Sequence, residues 1–415
     1  MNASPQRSFA AFYIGGYRAH FATYVLSMMA DNIEHVISYW MMFQKFHSPA
    51  LQGFAVVSHW LPFLLFSVPV GSLADRSDPR RMIQLAMLLF MSASLGWGYF
   101  FVTDSLQMWH AMILLTLHGC AGVLWQTASQ LLLYDIVPMA ELPSAVRLNA
   151  TARYVGILVG PAVGGFMLLT LGPAHGILLN SLYYLPLILW LWKAPYGPRF
   201  RKDVTRPRRA VRGFADIGQT MRDIAHLPVI VAMTILGGAA SFFIGSGYQA
   251  QMPGFAHDLG HGDPGMAYSM LLAADAAGAL LAGVILETTH LLRASARKAL
   301  TLAFLWCLAL IAFSLSSSYP LALALLLLAG FLELSFSSMA QALVQLGAPA
   351  EIRGRVIGLF NMSALGLRAF SGVTVGVVGS VIGIHYSLVG AASAMALSAV
   401  LILMMYRRHT RALQP

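Results

Sequence analysis

Apolar residues run along this chain in blocks of about twenty, separated by short polar breaks. A helix needs about 20 apolar residues to cross the hydrocarbon of a bilayer. On that measure the blocks predict twelve spans. Six begin near Arg18, Leu51, Met82, Gln107, Arg147 and Pro173, and six more near Pro228, Met266, Ala299, Pro320, Val356 and Tyr386. Glycine and proline recur inside the blocks, as in closely packed membrane helices. The fold class this predicts is an all-α membrane protein of about twelve transmembrane helices in two pseudo-symmetric six-helix bundles. A polar, proline-containing stretch divides the blocks, giving a first bundle at 1–194, a basic linker at 195–226 and a second bundle at 227–415.

Composition agrees with the pattern. Of 415 residues, 58% are hydrophobic and only 10% are charged, against about 25% charged in a soluble domain. The net charge of +10 does not indicate nucleic acid, because the basic residues sit between the spans. One set of breaks carries Arg76, Arg80 and Arg81; Arg147; the linker's Arg199, Arg201, Lys202, Arg206, Arg208, Arg209 and Arg212; Arg293, Arg297 and Lys298; and Arg353 and Arg355. The tail adds Arg407, Arg408 and Arg411. The opposite breaks hold Lys45 with Asp104, Asp258 and Asp263. By the positive-inside rule both termini face the cytoplasm, and the expected location is the cytoplasmic (inner) membrane of a bacterium, crossed many times. Residues 1–16 lack a signal-peptide pattern, so the first span is expected to serve as the insertion signal. Cys120 and Cys307 lie within apolar blocks and form no disulfide or metal pattern.

The halves align at a single offset of 212. It carries Gly53 to Gly265, Gly71 to Gly283, Asp75 to Glu287, Arg81 to Arg293, Asn149 to Asn361, Gly160 to Gly372 and Gly164 to Gly376. This indicates a duplication, with a cavity between the halves near the bilayer midplane.

After the second span the chain reads Gly71-Ser-Leu-Ala-Asp75-Arg76-Ser-Asp78-Pro79-Arg80-Arg81. This resembles the loop signature G-x-L-A-D-R-x-G-R-(R/K) of the major facilitator superfamily. Asp78 and Pro79 depart from it, so the turn must be built differently here. Gly71 permits close helix approach, and Asp75 can cap a helix N-terminus or pair with an arginine. In the family the motif is a gating latch, which the resemblance assigns to Gly71, Asp75, Arg76, Arg80 and Arg81. The fifth span carries Gly156-Ile-Leu-Val-Gly160-Pro161-Ala-Val-Gly164-Gly165. It resembles the superfamily's antiporter element, although Arg147 replaces an upstream glycine, and it implies export. Pro161 is expected to kink this span. The segment from Pro349 through Glu351, Arg353, Gly354 and Arg355 to Gly358 resembles the branch of bacterial drug and siderophore exporters of the enterobactin-exporter kind. The arginine that such proton-coupled exporters carry in span four is missing from His118-Gly-Cys120-Ala-Gly122.

Charge at membrane depth is costly and marks function. Asp31, Glu34, His35 and Ser38 fall at i, i+3, i+4 and i+7 on one face of span one. A carboxylate in a dry cavity can hold a proton near neutral pH, and histidine titrates in the same range. Asp275, Glu333 and Arg368 are the deep charges of the second half. Glu333 or Asp275 is expected to pair with Arg368. These six residues, Asp31, Glu34, His35, Asp275, Glu333 and Arg368, are the candidates for proton coupling or substrate binding. His118, Trp125, Gln126, Asn180 and Tyr183 are candidate cavity residues for a partly polar organic molecule. No residue set is assigned to a metal. The spacing of Asp31, Glu34 and His35 matches no standard ligand signature, although these three, with His59 reaching in, leave a divalent-metal or metal-chelate transporter as the alternative. His257, Asp258, His261 and Asp263 are expected to form a solvated loop.

No nucleotide-binding G-x-x-x-x-G-K-(S/T), no H-E-x-x-H and no G-x-S-x-G occurs. The reading is therefore not an enzyme, with an intramembrane enzyme or sensor as a remote alternative, and no cofactor. It is a secondary active transporter, a proton-coupled exporter of a drug-like compound or siderophore. The expected partners are the small-molecule substrate, protons and the lipid bilayer, with no nucleic acid, and the protein is expected to act as a monomer.

Overall fold

The computed structural model describes residues 7–200, 213–245, 247–259, 264–289 and 294–412. The linker residues 201–212, together with His261, Asp263 and Arg293, lie outside the described residues. Helices dominate, and there is no strand among the described residues. In the first half run α1 (Gly15–Phe46), α2 (Pro49–Ala74), α3 (Pro79–Val102), α4 (Met108–Ile136), α5 (Leu142–Ser181) and α6 (Leu185–Lys193). A short helix, α7 (Ala215–Ile224), precedes the second half. There follow α8 (Pro228–Phe243), α9 (Gly247–Ala250), α10 (Met252–Asp258), α11 (Pro264–Thr289), α12 (Ala296–Leu315), α13 (Tyr319–Gly347), α14 (Arg353–Ala364), α15 (Val378–Ile382) and α16 (Ile384–Ala412).

Nine stretches among the described residues are long and apolar enough to cross a membrane. One of them, Leu142–Lys193, is 52 residues long, enough for two traverses at 1.5 Å per residue. Its break is at Gly172, with φ 75° and ψ 168°, just before Pro173. Glycine reaches that φ without the steric cost of a Cβ. Pro161 does not break the helix: the non-helical angles inside α5 fall at Gly172, where the sixth span is expected to begin, near Pro173. Helix α1 is 32 residues long, but its polar face keeps it outside the apolar set.

Two spans of the second half are discontinuous. The seventh is split into α8, α9 and α10, and the eleventh runs from α14 through a 3-10 turn (Gly366–Phe370) and a π-helical turn (Gly372–Val377) to α15. The breaks meet each other. A Cβ on Gly245 (φ 47°) would fall 2.5 Å from Ser371 Cβ, and one on Gly247 would fall 2.7 Å from the Ser371 carbonyl oxygen. Such backbone proximity admits only glycine.

By internal contacts the chain forms two units. One comprises Ala10–Ile217 and Pro349–Gly358; the other comprises Gly218–Ala348, the residues after Gly358 and residues 7–9. In the first unit, α1 packs on α5 through Gly156, Gly160 and Gly164. Cβ atoms there would fall 2.7 Å from Met28 Cβ, 2.5 Å from Asn32 Cβ and 3.2 Å from Ile33 Cα. Gly165, one residue off that stripe, has nothing within 4 Å of its hypothetical Cβ. The core beside this seam contains Ile33, Ile37, Trp97, Leu114 and Ile177.

Candidate functional site

With Met28, Asn32 and Ile33 turned to α5, helix α1 presents Asp31, Glu34 and His35 elsewhere, toward α2, α3 and α4. His118 of α4 stands between the two acids. Its Nε2 is 2.8 Å from Asp31 Oδ1 and its Nδ1 is 2.8 Å from Glu34 Oε1. His118 and Glu34 are buried and Asp31 is partly buried, with side-chain exposures of 5%, 3% and 13%. An ionised carboxylate only accepts hydrogen bonds, and a neutral imidazole donates one and accepts one. Both contacts are therefore satisfied only when the triad holds one proton beyond a neutral ring and two carboxylates. That proton sits on the ring or on a carboxyl. Either way the group carries one negative charge.

A second layer fixes the triad. Ser94 of α3 donates to Glu34 Oε2. Asn180 Nδ2 donates to the Ala30 carbonyl at 3.0 Å and to Ser94 Oγ at 3.4 Å. Phe90 sets its ring edge-on to His118, 4.7 Å between centroids, and stacks on Tyr184 at 5.2 Å. Three imidazoles gather here. The ring of His35 is 4.8 Å from that of His118 and 4.9 Å from that of His59 on α2. One ligand atom from each of His35, His59 and His118 lies within 4.8 Å of the others, a spacing near that of a metal site.

Of the cavity candidates, Asn180 and His118 join this site. Trp125 lies apart, against Tyr24 (5.1 Å) and Phe90 (5.8 Å). Gln126 Oε1 accepts from the Tyr24 hydroxyl at 3.4 Å, and Tyr183 packs on the apolar core. Ser94 and Phe90 carried no signal in the sequence, because serine and phenylalanine are common in any apolar span.

In the second unit, α11 and α13 cross with their backbones in contact at Gly278 and Gly330. A Cβ on either would lie 1.8 Å from a carbonyl oxygen of the other helix. The crossing brings Asp275 beside Glu333. The Tyr248 hydroxyl, just after the first helix break, donates to Asp275 Oδ2 at 2.9 Å and lies 3.4 Å from Glu333 Oε2. Gln249 Nε2 donates to Asp275 Oδ2 at 3.2 Å. Arg368, in the 3-10 turn, reaches Glu333 Oε1 at 3.8 Å. A cleft beside them is lined by Ser241, Trp306, Glu333, Phe336 and Arg368.

The loop motif forms a third constellation. Asp75 accepts from the backbone N–H groups of Gly354 and Arg355, the first turn of α14, where unpaired N–H groups and the helix dipole favour an anion. Gly71 and Gly354 are pressed together: a Cβ on Gly71 would lie 2.1 Å from the Gly354 oxygen. The Arg353 guanidinium lies 4.0 Å over the Tyr134 ring. Burial raises the Asp75 carboxyl to about 6, against the pull of its two N–H donors and of Arg355 and Arg353. Asp78 departs from the family pattern by capping α3: it accepts from the Arg80 N–H at 3.0 Å, and Pro79 takes the first helical position. Arg80 is clamped by Asp78 (2.7 Å) and the Ala194 carbonyl (2.6 Å). Arg81 lies beside it in a cleft with Arg199 and Trp192.

Comparison with known proteins follows the same lines. The family model MFS_3, described as transmembrane secretion effector, matches residues 6–414. Similar solved structures include the Escherichia coli fucose:proton symporter FucP (TM-score 0.71, 11% identity, 95% of this chain and 99% of that one). A FucP structure in the outward conformation gives a TM-score of 0.72 at 13% identity, over 96% and 99% of the chains. The human organic anion transporter MFSD10 (TETRAN) gives 0.70 at 13%, over 93% and 99%. At these identities the likeness is one of fold. No curated protein matches the sequence.

Proposed function

Because the chain belongs to the MFS_3 family of the major facilitator superfamily, we propose that it is a proton-coupled secondary transporter that exports a small organic molecule. The observation that carries this reading is the buried Asp31–His118–Glu34 triad, whose two 2.8 Å contacts require one exchangeable proton. Losing that proton forfeits a hydrogen bond and adds a buried negative charge, which is costly at membrane depth. A conformation that opens the triad to water therefore releases the proton more readily than one that keeps it dry.

Export is supported by the family's description as a secretion effector and by the Gly156–Gly160–Gly164 stripe that resembles the antiporter element. The second unit supplies the other polar site, where Asp275, Glu333, Tyr248 and Arg368 meet at two helix breaks. Discontinuous helices at a polar cluster are a frequent way to build a transporter's substrate site. The cleft beside this cluster offers Glu333, Arg368, Trp306 and Phe336, the mix of charge and aromatic rings that suits a drug-like compound or siderophore. The basic breaks support a bacterial cytoplasmic membrane with both termini inside. The Asp75 cap on α14 serves as a latch that must be released during the cycle.

The test is transport in proteoliposomes loaded with a fluorescent drug or a siderophore. An imposed pH gradient is expected to drive the substrate against its concentration gradient. His118→Gln should leave downhill substrate exchange running and remove the uphill component. Full uphill transport by His118→Gln would overturn the assignment of the triad.

A further inference from the structure

We propose that His35, His59 and His118 form a binding site for one divalent transition-metal cation, with Asp31 as the oxygen ligand. This goes beyond the transport reading: the ion would take the place of the proton shared by His118 Nε2 and Asp31, so the two occupy the site in turn. Three helices, α1, α2 and α4, each contribute one imidazole to the same place, His118 buried and His35 and His59 partly buried. Their ring centroids are 4.8 to 5.8 Å apart. The ligand nitrogens lie within 4.8 Å of one another. Around a zinc-sized ion, with metal–nitrogen distances of about 2.0–2.1 Å, tetrahedral neighbours sit about 3.4 Å apart. The widest pair must therefore close by no more than about 1.4 Å, which rotation about the side-chain bonds supplies.

Two further observations point to a ligand. Nδ1 of His59 is buried and has no hydrogen-bond partner among the described residues, although a buried polar atom normally has one. A cation held at that nitrogen would give it a partner. His118 also arrives with the support that metal-bound histidines need. One ring nitrogen is held by the Glu34 carboxylate, the carboxylate–histidine arrangement that fixes tautomer and ring orientation. The other faces Asp31 at 2.8 Å, so an ion bound at that nitrogen meets the Asp31 oxygen as its fourth ligand. Two carboxylates against a divalent ion leave the buried group neutral. Three imidazoles and one carboxylate suit zinc, cobalt or nickel and not magnesium or calcium, which take oxygen ligands.

The experiment is titration of the purified full-length protein in detergent with Zn2+ by calorimetry and with Co2+ by visible absorption. The proposal expects one saturable ion per chain with the absorption of a tetrahedral cobalt centre. His35→Gln and His59→Gln should each weaken it at least about ten-fold. His257→Gln, beside Asp258 in a separate exposed place, should leave it unchanged. X-ray absorption on the zinc-loaded wild-type protein, which needs no variant, should count three imidazoles. Absence of a saturable ion would overturn the proposal. So would a zinc shell without imidazoles, or wild-type affinity in both histidine variants. None of these results bears on whether the protein moves an organic substrate, which the vesicle assay reads separately.

Discussion

At His118 the accounting of protons is exact enough to predict a phenotype. Each ring nitrogen has one partner, and both partners are acids. Asn in place of Asp31 keeps an acceptor for Nε2 and removes a titratable group. We expect Asp31→Asn to fold normally, melting within a few degrees of wild type in detergent, and to lose pH-driven accumulation while keeping passive exchange. Retained pH-driven accumulation would remove Asp31 from the coupling role. The face carrying Asp31, Glu34, His35 and Ser38 was legible in the sequence because helical periodicity puts i, i+3, i+4 and i+7 together. Its partner was less so. His118 lies 84 and 87 positions away from the two acids, and no local rule states which face of α4 it occupies. His59 was legible only as a residue able to reach in. The pairing of Glu333 with Arg368 was one of two open alternatives until the α11–α13 crossing at Gly278 and Gly330 put Glu333 and Asp275 side by side.

Helix seams show where glycine is required and where it is incidental. Gly160 and Gly165 belong to one motif, yet only the first is pressed against α1. Gly160→Val should lower stability by about 1–3 kcal/mol through overpacking, read as a fall in the detergent melting temperature. Gly165→Ala should melt like the wild type. Equal melting of both variants would dissolve the argument for the seam. The spans themselves were legible because twenty apolar residues have few other uses. Their irregularities were not. Proline at 161 suggests a kink, but the helix runs through it unbroken, and the non-helical angles fall at Gly172, the boundary between the fifth and sixth spans. Likewise the eleventh span reads as one apolar block, whereas its run of glycines allows 3-10 and π turns that carry Arg368 to Glu333.

On the scale of the whole molecule, residues 349–358 pack with the first half of the sequence, held by Asp75 on the first turn of α14. The docked Asp75 carboxyl titrates near 6 because burial disfavours its charge, whereas a water-exposed aspartate titrates near 3.9. The docked form therefore binds the proton more tightly. Its stabilisation by protonation is full below about pH 4 and is lost as pH rises through about 6. We expect hydrogen exchange at the Gly354 and Arg355 amides, corrected for the intrinsic rate, to quicken between pH 5 and pH 7. In Asp75→Asn that pH dependence should vanish and turnover should slow, with substrate range unchanged. A changed range at normal turnover would contradict the latch.

The family and the fold establish a multi-pass membrane transporter of the major facilitator kind. Proton-driven export is the claim that joins the triad, the latch and the glycine seam. It is tested most directly by accumulation of a mixed panel of cationic drugs and siderophores in an efflux-deficient bacterial host, with and without this protein. The account predicts that one organic class falls in the cells that make it, that a protonophore restores that class, and that Asp31→Asn does the same. A fall that persists under the protonophore, or no fall in any organic class, would contradict it.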